Sequence, residues 1–311
     1  MIKLALVVPC YNEEAVLPAA IARLTALRDE LVGENLIDAD SSITFVDDGS
    51  TDRTWPLIES AAANDAGIHG IKLAKNRGHQ NALIAGLLSV SGDVLISIDA
   101  DLQDDPGAIR DMLARYSEGA QIVYGIRALR ETDTWFKRWT AESFYRLMRL
   151  LGADVVFNHA DYRLMSRTAI DALKQFEEVN LFLRGIVPQL GFKTAKVYYA
   201  RAGRFAGESK YPMRKMLSLA WNGLTSLTSA PLRWITLFGI VVSIFSFAIT
   251  CWILVRSFLF SVSVPGWAST VVPVYFLGGI QLLGIGIIGE YIAKIYLETK
   301  RRPRYIVEKI I

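Results

Sequence analysis

Val94-Leu95-Ile96-Ser97-Ile98-Asp99-Ala100-Asp101-Leu102-Gln103-Asp104-Asp105-Pro106 is an apolar run that ends in a cluster of carboxylates. Read as a strand, it points Asp99 and Asp101 to the same side, because side chains alternate along extended backbone. Carboxylates that close repel each other unless a cation lies between them, and an all-oxygen ligand set favours Mg²⁺ or Mn²⁺ over zinc or copper. A divalent ion held there with open positions would bind a diphosphate. A solvated strand-end turn is the other reading, since Asp and Pro are ordinary turn residues.

On either side of this run, strands alternate with helices, which predicts an α/β fold with a largely parallel sheet. Leu4 to Val8 is continuously apolar, as a strand buried on both faces should be. Residues 14–32 carry helical spacing through Val16, Ala20, Leu24, Leu27 and Leu31. Further strands are expected at Ser42 to Val46, Ile68 to Leu73, Val94 to Ile98 and Gln121 to Tyr124, with a helix over Gln80 to Ser89. Ligands of such sheets gather at the carboxyl ends of the strands, where the polar clusters of this chain fall. Asp47 and Asp48 offer acceptors for a base N–H or a ribose hydroxyl, and Gly49 allows close backbone approach. A helix cap explains Ser50 or Asp52 but not two adjacent Asp residues. Lys75 to Asn81, with Asn76 and Gly78, opens a helix and offers donors to anionic oxygens, although a solvated turn fits it too. No Gly-x-Gly-x-x-Gly or P-loop pattern is present, which argues against a dinucleotide enzyme and a P-loop NTPase.

The chain has 311 residues, 52% of them hydrophobic, with mean hydropathy +0.28, too apolar for an ordinary soluble enzyme. Two charge-free apolar stretches, Ile235 to Val255 and Val264 to Gly289, are each near the length that spans a bilayer core and together predict a transmembrane hairpin of helices at about 235–256 and 266–289. The net charge of +3 is unevenly spread. Residues 201–234 carry Arg201, Arg204, Lys210, Arg214, Lys215 and Arg233 against Glu208 alone, and the tail 290–311 is also basic, so residues 1–200 are acidic. Basic flanks outside both ends of the hairpin place both termini in the cytoplasm and favour anionic lipid headgroups. Nucleic-acid binding is not expected from an acidic large domain. Residues 134–151, opening at Trp135-Phe136-Lys137-Arg138-Trp139, suit an interfacial amphipathic helix or a core helix with a basic face. The start of the chain leads straight into a strand-like run, unlike a signal peptide, and Cys10 and Cys251 alone make no disulfide framework.

The blocks Val7-Val8-Pro9-Cys10-Tyr11-Asn12-Glu13-Glu14, Asp47-Asp48-Gly49-Ser50-Thr51-Asp52, Asn76-Arg77-Gly78 and Asp99-Ala100-Asp101-Leu102-Gln103-Asp104 resemble, in order, those of inverting family 2 glycosyltransferases with the GT-A fold. Asp161-Tyr162-Arg163-Leu164-Met165, Gly207-Glu208-Ser209-Lys210-Tyr211 and the hairpin are similar to the polyprenyl-phosphate glycosyltransferases, which include dolichol-phosphate mannose synthases and bactoprenol glucosyltransferases.

That resemblance implies transfer of one hexose, with glucose from a UDP-sugar as first choice, to polyprenyl (undecaprenyl) phosphate at the inner face of the cytoplasmic membrane. UDP-GlcNAc, UDP-Gal or GDP-mannose would use the same carboxylates. By resemblance Pro9, Tyr11, Glu13 and Asp47 hold the nucleoside, Asp99 faces the ribose and diphosphate beside Ala100, Asp101 is the metal ligand and Gln103 lies close by. Asp161 matches a carboxylate near the reacting centre, here in Ala160-Asp161-Tyr162 where relatives often have Gly-Asp-Phe. Arg127, Arg201, Arg204 and Lys210 are the candidates for the lipid phosphate, and a homo-tetramer is suggested by relatives alone. A processive polysaccharide synthase would add more spans and a Gln-x-x-Arg-Trp motif, neither present. A non-catalytic membrane scaffold would have no need of so many carboxylates.

Overall fold

The structure, a computed structural model, describes residues 1–127, 159–179, 182–200, parts of 231–252, and 267–311. The elements are β1 (Leu4–Cys10), α1 (Leu17–Gly33), β2 (Ser42–Asp47), α2 (Thr54–Asn64), β3 (Ile68–Leu73), α3 (His79–Ser89), β4 (Val94–Ser97), α4 (Ala108–Ser117), β5 (Ile122–Arg127), β6 (His159–Ser166), α5 (Arg167–Leu173), α6 (Leu183–Gln189), β7 (Thr194–Tyr199), α7 (Trp267–Thr299) and β8 (Val307–Ile310).

Eight strands form one sheet in the order β7-β5-β6-β4-β1-β2-β3-β8. Strands β1 to β4 are mutually parallel, whereas β6 runs antiparallel between β4 and β5, and β8 runs antiparallel along β3. Alternation divides the core. Leu4, Leu6, Val8, Val94 and Ile96 face α1, α2 and α4, while Ala5, Val7 and Leu95 face α3 and α5. Helix α3 lies so close to the sheet that a Cβ on Gly86 would come within 2.3 Å of Val7 Cγ1 and 2.8 Å of Val46 Cγ2. The strand order reverses between β1 and β4, and a crevice opens there at their carboxyl ends.

The helix expected from residue 14 starts at Leu17, because Pro18 suits a first turn and residues 13–16 form a turn instead. The basic tail expected over 290–311 is not a simple tail. Helix α7 continues to Thr299, the chain turns at Arg301 (φ 45°), and β8 then pairs with β3. The expected span 266–289 is part of this longer helix, whose Leu277–Thr299 portion is long and apolar enough to cross a membrane. Its Leu282, Leu283, Ile285, Ile288, Ile292 and Ile295 are exposed, unlike those of a core helix. The expected span 235–256 is described only in part, with Trp234, Leu237, Phe238, Ile240 and Val241 helical and exposed. The expected amphipathic helix 134–151 and most of 201–234 lie outside the described residues.

Candidate active site

The frame of the site is a set of loops that bond to one another. Asn12 (φ 53°) accepts from Thr51 N and donates its own N–H to Ser50 Oγ, both at 2.9 Å. Glu13 N–H donates to Thr54 Oγ1 at 2.9 Å, and Glu14 exchanges bonds with Asp52 and Arg53. The ends of β1 and β2 are thereby latched. Asp48 accepts the backbone N–H groups of Arg77 (2.7 Å) and Gly78 (2.8 Å), tying the next loop to the same frame. Gly49 (φ 69°) makes this possible, since a Cβ there would lie 2.7 Å from Asn76 N. Asp48 thus holds the 75–78 loop through the Arg77 and Gly78 N–H groups and also lines the cleft, with Asn76 and Gly78 beside it.

Between these loops lies a cleft of about 650 Å³ lined by Pro9, Cys10, Tyr11, Glu13, Asp48, Asn76 to Ala82, Asp99, Ala100, Asp101, Asp161, Phe182 and Arg184. It gathers side chains from the ends of β1 and β4, the start of α3 and the start of α6. Asp47 and Gln103 are buried and do not line it. Asp47 Oδ1 accepts from Ser50 N at 3.2 Å, while Oδ2 is buried with no hydrogen-bond partner among the described residues. Burial pushes the Asp47 carboxyl up, against the opposing bonds from Ser50.

The carboxylates on the cleft differ in their surroundings. Asp99 is raised by burial, opposed by His79 and reinforced by Asp161 and its acidic neighbours. Asp101 faces the cleft with Oδ1 accepting from Gln103 N at 3.2 Å. Asp161 lies on β6, with Arg163 at 2.6 Å, Arg184 at 3.3 Å and His79 at 3.6 Å. Burial alone would raise its pKa, but the three cationic groups outweigh burial and hold it well below the usual carboxylate range. The Ser97 hydroxyl donates to the Asp161 carbonyl and pins β6 at this point. His79 Nε2 stands 3.6 Å from both Asp99 and Asp161. Burial opposes its charge, yet the facing carboxylates raise its pKa above the ordinary value.

Arg127, expected at the lipid phosphate, is committed elsewhere. It pairs with both oxygens of buried Asp104 at 2.9 and 3.1 Å, and Tyr199 donates its hydroxyl to the same carboxylate at 2.7 Å. This cluster ties the turn after β4 to β5 and β7. Arg201, Arg204 and Lys210 lie outside the described residues. Sequence reasoning missed His79 and Arg184. His79 had a signal, as the residue after Gly78 in a quoted polar stretch, whereas Arg184 had none and is delivered to Asp161 only by the fold.

The family profile of glycosyl transferase family 2 matches residues 5–174. The chain belongs to glycosyl transferase family 2. This family 2 glycosyltransferase is 52% identical to the uncharacterized glycosyltransferase YkoT of Bacillus subtilis (strain 168) over 98% of the chain and 91% of the relative. It is 38% identical to the prophage bactoprenol glucosyl transferase homolog of Escherichia coli (strain K12), over 99% of each. The bactoprenol glucosyl transferase of Shigella phage SfII is 39% identical, over 99% of this chain and 98% of the relative. In fold, it matches the crystal structure of mannosyl-3-phosphoglycerate synthase from Rubrobacter xylanophilus with a TM-score of 0.51 at 19% identity, over 76% of this chain and 75% of the other. The α/β sheet with its crevice is thus that of a GT-A glycosyltransferase.

Proposed function

We propose that this glycosyltransferase moves one hexose, glucose, from a UDP-sugar to polyprenyl phosphate at the cytoplasmic face of the membrane, with inversion at the sugar carbon. The observation that carries the reading is Asp161, an ionised carboxylate gripped by Arg163, Arg184 and His79 on the cleft that also exposes Asp99 and Asp101. The bactoprenol glucosyl transferase names of full-length relatives support the acceptor and the sugar.

A carboxylate held so firmly as the anion is a poor proton acceptor. None is needed, because a phosphate monoester has its second pKa near 6 and is already a nucleophile at neutral pH. Asp161 instead orients the acceptor and stabilises positive charge at the sugar carbon. Pro9, Tyr11 and Glu13, which line the cleft at the end of β1, enclose the nucleoside. Arg184, on the cleft wall beside Asp161, is a further cation that faces the acceptor phosphate.

Among the described residues no three His, Cys, Asp or Glu side chains are grouped to hold a metal ion. The oxygen-only pair Asp99 and Asp101 fits a divalent ion completed by the donor's own phosphates, with Asp101 as the ligand. Such an ion, Mg²⁺ or Mn²⁺, would neutralise charge on the departing diphosphate.

The membrane arrangement has its own support. Strands β7 and β8 belong to one sheet, which favours an even number for any bilayer crossings between Tyr199 and Val307. Helix α7 supplies one crossing and the 235–256 stretch supplies the return, with Ile235 Cγ2 about 3.4 Å from where a Cβ on Gly284 would stand. The basic flanks support a cytoplasmic position for the sheet. Asp161→Asn tests the assignment: turnover should fall at least about a hundredfold while UDP-sugar affinity changes by less than about threefold. An unchanged rate defeats it.

A further inference from the structure

The cytoplasmic end of α7 is fastened to the wall of the cleft. The charge-free part of α7 ends at Gly289, and at about 1.5 Å per residue Glu298 lies ~14 Å further along the cytoplasmic extension of the same helix. There Glu298 Oε2 accepts the backbone N–H of Val179 at 2.8 Å, across 119 residues of chain. Arg304 donates to the carbonyl of Phe176, and Phe176, Tyr305 and Val307 pack against the same core cluster beneath α3. Strand β8 then completes the attachment. Ala74 N–H donates to Ile306 O at 2.9 Å, and Gly70 and Ile311 exchange a pair of backbone bonds.

The segment held in this way leads directly to the site. Three residues after Val179, Phe182 lines the cleft. Leu183 N–H donates to Gln80 Oε1 at 3.0 Å, and Arg184 reaches Asp161. The 176–179 segment fastened to the membrane helix and the Phe182–Arg184 wall beside Asp161 are therefore close neighbours along the chain.

We propose that Glu298 is a positioning residue, which, by holding Val179 at the cytoplasmic end of the membrane helix, sets the height of the Phe182–Arg184 wall above the bilayer. An acceptor whose tail stays in the membrane can present its phosphate only at one depth, so this wall must stand at that depth. The donor arrives from solution and has no such requirement. The inference rests on the membrane-bound acceptor of the proposed function.

The test uses full-length protein in liposomes, assayed with a long-chain polyprenyl phosphate embedded in the bilayer and with a short-chain, water-soluble prenyl phosphate. Glu298→Ala should raise KM for the embedded acceptor about tenfold, while KM for the donor and for the soluble acceptor stays within about twofold. Glu298→Gln retains an oxygen that can accept from Val179 and should restore near-native KM. Equal losses with both acceptors, or none with either, overturn the proposal. A wild-type protein inactive on both lipids would sink the proposed function instead, and the latch is then read by hydrogen exchange. Faster exchange confined to residues 174–184 in Glu298→Ala supports it, and unchanged exchange there overturns it.

Discussion

Arg127→Met separates a structural role for the Asp104 cluster from a role in gripping the lipid phosphate. The Asp104 side chain is 1% exposed and Arg127 27%, so removing the guanidinium leaves a buried carboxylate whose remaining side-chain partner among the described residues is the Tyr199 hydroxyl. Breaking a buried pair costs about 3–5 kcal/mol, and the water that reaches Arg127 puts the loss near the lower bound, about 3 kcal/mol. For a domain of about 150–250 residues that corresponds to a fall in Tm of roughly 6–12 °C. The assay is thermal unfolding in detergent, with acceptor KM measured well below the transition. Arg127→Met combined with Asp104→Asn leaves no buried charge, and the amide oxygen still accepts from Tyr199. The double variant should recover more than half of the lost Tm and keep acceptor KM within about twofold of wild type. If Arg127→Met leaves Tm unchanged but raises acceptor KM tenfold or more, and Asp104→Asn does not repair it, the reasoning is refuted.

Gly49→Ala puts a Cβ 2.7 Å from the backbone of Lys75 and Asn76 at a φ of 69°, and the left-handed backbone alone costs about 1–2 kcal/mol. Calorimetry should show weaker UDP binding together with reduced stability, and equal values for both would count against the latch on the 75–78 loop. His79 is one of three histidines, and its NMR titration should lie above the ordinary value of about 6.5 and drop in Asp161→Asn. Because its folded pKa is raised, its contribution to stability is fully present below the unfolded value near 6.5 and is lost as pH rises through the folded one. A stability difference between wild type and His79→Asn that does not shrink over that window would remove the bridge between Asp99 and Asp161.

The inner strands were legible because a parallel strand covered on both faces leaves a continuous apolar run, as Leu4 to Val8 and Val94 to Ile98 do. Strand β8 was not, since Val307–Ile310 is four residues long, mostly exposed, and owes its strand to β3 over two hundred residues away. At the site, Asp99, Asp101 and Asp161 stood out as residue types, and the fold brings all three to one cleft. What the sequence concealed was partnership. Asp48 and Arg127 look like free ligands in a linear reading, yet their partners, Arg77, Gly78 and Asp104, are adjacent only after the loops close. Arg184 is the converse case, an unremarked cation that becomes a partner of Asp161 through α6.

The most direct measurement is mass spectrometry of the lipid made by the purified protein in liposomes containing undecaprenyl phosphate, given UDP-glucose and Mg²⁺ or Mn²⁺. The account predicts a gain of a single hexose per lipid, abolished by Asp101→Asn and by Asp161→Asn. No sugar on the lipid with any of the UDP- or GDP-sugars, or a ladder of repeated additions, would contradict it.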